Sequence, residues 1–159
     1  MKLFPTTTRY FRLIDDKLET IDRLKRRTDK SHNLTSDYTD KTFRGIIKDN
    51  QFKLISSVIG KGAFCVMKGE INTNEGHVSV EIHKVFRILL SIILCFPPIG
   101  ITIVILLGQE EFHPVFIPVV IIQVIMIRYI FIGLAFKSLS RYSLNRLRDV
   151  LDVDWIQKK

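Results

Sequence analysis

Two long apolar stretches stand out in the hydropathy pattern of the chain. Residues 88–107 carry no charged side chain, and residues 115–136 carry one, Arg128. An α-helix rises about 1.5 Å per residue, so roughly 20 residues cover the hydrocarbon core of a bilayer, which is about 30 Å thick. The apolar side chains of the second stretch outweigh one central arginine, which costs about 2.5–3.5 kcal/mol on an insertion scale. The pattern predicts two transmembrane helices; the alternative is a pair of buried helices in a soluble core, for which so short a chain offers little cover.

A second pattern, alternation at period two, runs through residues 41–84. Val78, Val80 and Ile82 alternate with polar residues, which is typical of an antiparallel strand with one buried face and one solvent face. Turn-forming residues divide the region into four candidate strands: residues 42–48, 52–59, 63–71 and 78–83. The Gly-Lys-Gly break at residues 60–62 is predicted to be one of the turns. The region is therefore predicted to be a β-meander, a thin sheet that needs cover from other parts of the chain.

The preceding segment can supply part of that cover. Asp15 or Asp16 is a candidate helix cap, and the helix is expected to run to about Arg27. Three apolar residues at a spacing of three lie on one face of this helix: Leu18, Ile21 and Leu24. Residues 6–14 have the composition of a strand, whereas residues 28–40 are a polar connector without periodicity. We expect a fifth strand before the helix, and residues 28–40 are expected to be the flexible segment of the chain.

After the second apolar stretch, residues 138–155 show the period of an amphipathic helix. Its apolar face contains four residues: Leu144, Leu147, Leu151 and Trp155. The helix either packs on the sheet or lies in the inner headgroup layer, with Trp155 as an anchor. The predicted fold is thus an α+β membrane protein. It combines a two-helix transmembrane hairpin with a small cytosolic antiparallel β-meander, one N-terminal amphipathic helix and one C-terminal amphipathic helix.

The distribution of charge predicts the orientation of the hairpin. The chain has 24 Lys and Arg against 16 Asp and Glu, a formal charge of +8, although its mean hydropathy is +0.17. Arg87 precedes the first stretch and Lys137 and Arg141 follow the second, and with Trp155 these are the predicted interface anchors. Because the link between the stretches has no Lys or Arg, the positive-inside rule places both termini in the bacterial cytoplasm. The expected organisation has five parts: a cytosolic α+β domain (1–87), the first span (88–107), a short outer loop (108–114), the second span (115–136) and a cytosolic helix and tail (137–159).

Helix-breaking residues in the first stretch are candidates for a structural or functional role. Pro97, Pro98 and Gly100 lie near its middle. The two prolines remove backbone donors and clash with the carbonyls of Ile93 and Leu94. A kink or a short break is expected there.

Arg128 is the charged residue of the second stretch, and three roles are open to it. It can extend its head group to the inner headgroups, or face a pore or a partner. It can also donate hydrogen bonds to the carbonyls of Ile93 and Leu94, which the prolines leave free in the antiparallel neighbour. Gln123, the other polar residue, is five positions away, about 140° around the helix, so the two do not form one polar stripe.

The sequence contains no arrangement typical of catalysis or of metal binding. The four histidines have no ligand spacing between them, and Cys65 and Cys95 are expected in different compartments. The basic run at residues 23–30 is interleaved with acidic residues, which favours a salt-bridged solvated face over a nucleic-acid site. We therefore expect a protein that is not an enzyme, has no cofactor and binds no nucleic acid. Its expected partners are the anionic inner leaflet and either a second copy or another membrane protein.

A resemblance to a known family rests on three short motifs: Phe43-x-Gly45-Ile46, Phe52-x-Leu54 and Lys68-Gly69-Glu70-Ile71. With the hairpin and the amphipathic tail, residues 40–155 resemble a family of small uncharacterised bacterial two-span membrane proteins with an N-terminal cytosolic β-rich domain. The resemblance implies the order strand, helix, β-meander, membrane hairpin and terminal helix, and it implies no catalytic residues.

These observations favour a non-enzymatic integral membrane protein that anchors a cytosolic sensing or interaction domain at the inner membrane. The alternative is an oligomerising effector that permeabilises the membrane when triggered, in stress or phage defence. Pro97, Pro98 and Arg128 would serve that role. A membrane-interface enzyme is the third hypothesis.

Overall fold

The computed structural model describes residues 4–32, 34, 38–58, 62–107 and 115–156. The predicted outer loop, residues 108–114, lies outside this part of the chain, as does most of the predicted turn at residues 60–62. The chain divides into two compact units. The first, here called the α+β unit, combines Met1–His83 with Lys137–Lys159. The second, the helical unit, is Lys84–Phe136.

Seven strands form the sheet of the α+β unit, three more than the meander alone supplies. They are β1 (Thr6–Leu13), β2 (Thr28–Lys30), β3 (Phe43–Lys48), β4 (Gln51–Ser56), β5 (Cys65–Ile71), β6 (Glu75–Ile82) and β7 (Val153–Ile156). Their order is β2-β3-β4-β5-β6-β1-β7, and β2 with β3 is the parallel pair while the other five pairs are antiparallel. The predicted meander is confirmed as β3 to β6. The predicted fifth strand is confirmed as β1, which pairs with β6.

Two local features fix the register of the sheet. Asp49 and Asn50 form the two-residue turn between β3 and β4, and Asp49 has φ 47°, a left-handed conformation that aspartate tolerates. Gly76 of β6 is directly opposite Phe11 of β1, and a Cβ at Gly76 would collide with the Phe11 ring. Because Phe11 is completely buried, this glycine makes room for a large core side chain between the two strands.

Helix α1 (Lys17–Arg26) begins at the predicted cap, where the Asp16 carboxylate accepts a hydrogen bond of 3.3 Å from the amide of Leu18. Its buried residues are Thr20, Ile21 and Leu24. The expectation that Leu18 belongs to the buried face is wrong, because its side chain is 75% exposed. At 100° per residue, Leu18 lies about 110° from the centre of the buried stripe. Thr20 takes its place as the third member of that face.

The polar connector predicted for residues 28–40 contains a short strand, β2, which pairs in parallel with β3. The predicted C-terminal helix is also corrected, because it ends at Leu151 and the chain turns at Asp152, which has φ 53°. Trp155 therefore lies on β7 and not on a helix. It is opposite Phe11 in the β1–β7 pair, with the two rings edge to face at a centroid distance of 6.1 Å.

The core of the α+β unit combines one face of the sheet with apolar residues of two helices. Strand residues such as Leu54, Met67 and Val80 are completely buried. On helix α4 (Gly133–Leu151), three residues of the predicted apolar face are buried: Leu144, Leu147 and Leu151. The sequence leaves two alternatives for this segment, packing on the sheet or lying in the headgroup layer. The burial of these three leucines agrees with packing within the α+β unit.

The helical unit contains helix α2 (Lys84–Leu106), helix α3 (Phe116–Ile125), a π-helical segment (Met126–Ile132) and the first residues of α4. Within the unit, α2 contacts both α3 and the π-helical segment. The elements α3, π-helical segment and α4 follow one another without a break as one helix of 36 residues, Phe116–Leu151. Two helices of the described chain are therefore long and apolar enough to cross a membrane.

We predict that Leu147→Ala destabilises the α+β unit by about 2–5 kcal/mol, because Leu147 is completely buried and its truncation leaves a cavity. Leu18→Ala makes the same chemical change at a residue that is 75% exposed, so its effect is expected to stay within about 0.5 kcal/mol. Urea unfolding in detergent, followed by the fluorescence of the one tryptophan, Trp155, measures both. Equal destabilisation by the two variants would contradict this account of the core.

Candidate functional site

Pro97 and Pro98 lie inside an uninterrupted helix. The short break allowed for by the sequence is absent, because α2 is helical from Lys84 to Leu106. Downstream of the pair, the hydroxyl of Thr102 donates a hydrogen bond of 2.8 Å to the carbonyl of Pro98. The acceptor is not one of the two carbonyls that the prolines deprive of a donor, those of Ile93 and Leu94, and a back-bond of this kind often bends a helix. A Cβ at Gly100 would meet nothing within 4 Å, so this position is open.

Arg128 lies within the π-helical segment Met126–Ile132, a feature that the sequence did not predict. A π-helix has hydrogen bonds from residue i to i+5, is rare, and occurs frequently at functional sites. Arg128 is partly buried, and its guanidinium lies 5.5 Å from the centre of the Tyr129 ring. Among the described residues it forms no hydrogen bond to the carbonyls of Ile93 or Leu94. Gln123 lies on α3 with its side chain exposed.

The four predicted interface anchors fall on three different elements. Arg87 is in the first turn of α2, and its carbonyl accepts a hydrogen bond of 2.9 Å from the hydroxyl of Ser91. Lys137 and Arg141 are exposed residues of α4. Trp155 is on β7, where it packs against Phe11. Its ring is therefore part of the sheet domain, which the helical period of the sequence did not indicate.

A cleft of about 330 Å³ in the α+β unit brings together three arginines from the two ends of the chain. Its lining residues are Arg23, Arg27, Thr42, Arg146, Asp149 and Val150. We call it the arginine cleft. Arg23 and Arg27 come from α1 and its C-cap, Thr42 immediately precedes β3, and Arg146 comes from α4. The basic run predicted from the sequence thus contributes two of its members to one concave site.

The charge of Arg23 is matched by carboxylates. Its guanidinium lies 2.6 Å from Asp15, 3.4 Å from Glu19 and 3.7 Å from Asp152. The hydrogen bond to Asp15 raises the pKa of Arg23, so the guanidinium stays charged. For this one member of the basic run the predicted salt bridges are present, and they link α1 to the residue that follows α4.

Arg27 and Arg146 differ from Arg23, because neither has a carboxylate partner in the part of the chain that the structure describes. Arg146 lies 3.5 Å from the hydroxyl of Ser56 and 5.6 Å from the centre of the Tyr142 ring, both neutral groups. Asp149 also lines the cleft, but it is exposed and forms no ion pair with a described residue. Two guanidinium groups therefore line one cleft with N–H donors that form no ion pair with a described carboxylate.

A second concave surface of about 450 Å³ lies on the opposite, solvent-facing side of the sheet. Three lysines line it: Lys48, Lys53 and Lys68. Lys53 and Lys68 are directly opposite each other in the β4–β5 pair, and Lys68 forms an ion pair with Glu81. Glu70 and His77 also line this surface. Its mixture of charges is what an antiparallel sheet presents on its solvent face.

Conventional catalytic and metal-binding groups do not converge in the described residues. No three His, Cys, Asp or Glu side chains of that part of the chain could hold a metal ion. Burial raises the pKa of Cys65 to about 12, so its thiol is protonated and unreactive at neutral pH. Cys95 is an exposed residue of α2. His113 lies outside the described residues.

Comparison of the chain with protein-family models, with curated proteins and with solved structures found no match.

Proposed function

We propose that the chain is an integral membrane protein whose two apolar helices hold a non-enzymatic binding domain, the α+β unit, at the cytoplasmic face of the bacterial inner membrane. The observation that carries this proposal is the exposure of the apolar helices. None of the apolar window of α2 is buried, and only 11% of that of the long helix is. Core helices of a soluble protein would be mostly buried, so their exposure argues against that alternative.

The exposed apolar side chains form an extended surface. Large hydrophobic residues of the helical unit that are at least half exposed include Ile92, Phe96, Ile99, Ile103, Ile117, Ile121, Ile122 and Phe131. Monomeric soluble proteins rarely expose a contiguous apolar patch of more than a few hundred Å². A bilayer would remove this surface from water, and an isologous contact with a second copy within the membrane could cover part of it.

The topology of the α+β unit supports a hairpin independently of the charge pattern. Its sheet includes β1 to β6, which precede the helical unit, and β7, which follows it. The connections are short, because β6 ends at Ile82 and α2 begins at Lys84, while α4 runs from one unit into the other. A chain that leaves one sheet and returns to it must cross the membrane an even number of times. The basic flanks then favour the cytoplasm for the sheet domain.

Membrane insertion predicts that the protein stays in the membrane pellet after extraction with alkaline carbonate. A fluorescent protein fused to the C-terminus is expected to fluoresce, because it would fold in the cytoplasm. Release of the wild type into the supernatant would contradict the proposal.

Matched variants separate insertion from other causes of retention. Ile121→Asp places a carboxylate in the second apolar stretch, at a cost of about 2.5–3.5 kcal/mol for a span centre, and is expected to lower the retained fraction. Ile14→Asp makes the same change in the α+β unit, and the two isoleucines are similarly exposed, at 53% and 59%. Ile14→Asp is expected to leave retention unchanged.

The oligomerising effector remains the second candidate function, because Arg128 lies on a rare π-helical segment of an apolar helix. The anchoring function predicts that overexpression of the wild type leaves the membrane potential of cells unchanged, as measured with a potential-sensitive dye. The effector function would be established instead if the wild type and Gln123→Leu both depolarise the cells and Arg128→Leu does not. Gln123 serves as the control because it is the other polar residue of the span and is exposed.

A further inference from the structure

We propose that the arginine cleft binds a phosphate group, carried either by a soluble anion or by a phospholipid headgroup. This inference deepens the proposed function, because it gives the binding domain a ligand class. It rests on the proposed function only where the phosphate belongs to a lipid. The residues proposed to bind it are Arg27, Arg146 and Thr42, which line the cleft.

The charge distribution around the cleft favours an anion. Arg27 and Arg146 lie 119 positions apart in the sequence (146 − 27), and the fold places both on one cleft. Like charges that line one site repel each other, and three carboxylates, those of Asp15, Glu19 and Asp152, are already bound to Arg23. Asp149 is the one carboxylate in the lining, so Arg27 and Arg146 together leave the cleft with an excess of positive charge. An anion between the two guanidinium groups would relieve the repulsion.

The donors are of the type that recognises phosphate. A guanidinium presents a planar fork that matches two phosphate oxygens, and Arg is used for such bidentate recognition more than Lys is. A threonine hydroxyl adds a donor for a third oxygen. The volume of about 330 Å³ lies at the lower end of the range for small-molecule pockets, roughly 300–1,000 Å³. The cleft therefore fits a phosphate with a small attached group.

The lysine-lined surface on the other side of the sheet is a weaker candidate. Lys68 is held by Glu81, and Glu70 adds a further negative charge to the lining. Lysine offers a point charge without the fixed geometry of a guanidinium fork. The arginine cleft also joins elements from both ends of the chain, and Arg146 belongs to the same uninterrupted helix as Arg128. A ligand at Arg146 would thus contact the helix that also contains the second apolar stretch.

Calorimetric titration of the full-length protein with inorganic phosphate tests the inference. The protein is kept in dodecyl maltoside, a detergent without phosphate, at constant ionic strength with chloride as the reference anion. The wild type is expected to bind phosphate. Arg27→Gln and Arg146→Gln are each expected to raise the dissociation constant for phosphate about tenfold or more. Arg148→Gln is the matched control, because Arg148 is an exposed residue of α4 that does not line the cleft, so its dissociation constant should stay within about twofold of the wild type.

A second arm distinguishes the source of the phosphate. Phosphatidylglycerol is added to the micelles in phosphate-free buffer, and the thermal midpoint is followed by the fluorescence of Trp155. Stabilisation of the wild type and of Arg148→Gln, but not of Arg27→Gln, identifies a headgroup, whereas binding of inorganic phosphate without this response identifies a soluble anion. Arg27 is exposed, so its substitution is expected to leave the fold and the unliganded midpoint intact.

The inference is overturned if neither probe binds, or if Arg27→Gln and Arg148→Gln respond alike. Because the calorimetric arm is carried out in detergent, its outcome does not depend on insertion into a bilayer. A failure of phosphate binding is therefore distinguishable from a failure of the carbonate extraction test.

Discussion

The pairing of β7 with β1 is the interaction on which the rest of the structure depends. It joins the last described segment of the chain to the first strand, and the edge-to-face contact of Trp155 with Phe11 lies within it. The segment between these strands includes two apolar helices that leave the α+β unit and return to it. The sheet therefore contains strands that precede the helical unit in sequence and one strand, β7, that follows it. The β1–β7 pairing places basic residues of α1 and of α4 around one cleft. It also requires both connections to the helical unit to lie on one side of any membrane that the helices cross.

Patterns of short period predict much of this fold from the sequence. Alternation at period two identifies β3 to β6, and an acidic cap followed by apolar residues identifies α1. Such a pattern cannot decide the secondary structure of a segment that fits both a helix and a strand. Trp155 is four positions after Leu151, so it fits the apolar face of a helix, yet Val153 and Trp155 also have the spacing of a strand. The left-handed turn at Asp152 decides between them, and no local pattern indicates it.

The candidate site is less predictable, because it depends on contacts between distant parts of the chain. The basic run of α1 is visible in the sequence, but it does not show which members are paired: among the described residues, Arg23 has carboxylate partners and Arg27 has none, and this difference follows from packing. Arg128 is conspicuous as a charged residue in an apolar stretch, whereas its π-helical surroundings have no sequence signal. One helix carries Arg128 and Arg146, so the charged residue of the second apolar stretch and one residue of the proposed phosphate site belong to one continuous element.

A disulfide between β1 and β7, formed with an added oxidant in membrane vesicles isolated from the expressing cells, tests this pairing most directly. Arg12 and Asp154 are direct partners in the antiparallel pair, where Cα atoms lie about 4.5–5.5 Å apart, within the range that a disulfide spans. The account predicts that Arg12→Cys with Asp154→Cys, in a Cys95→Ala background, forms an intramolecular disulfide in carbonate-resistant protein. Arg12→Cys with Arg148→Cys, which places the second thiol on α4, should not. Absence of the first cross-link from membrane-inserted protein would contradict the account.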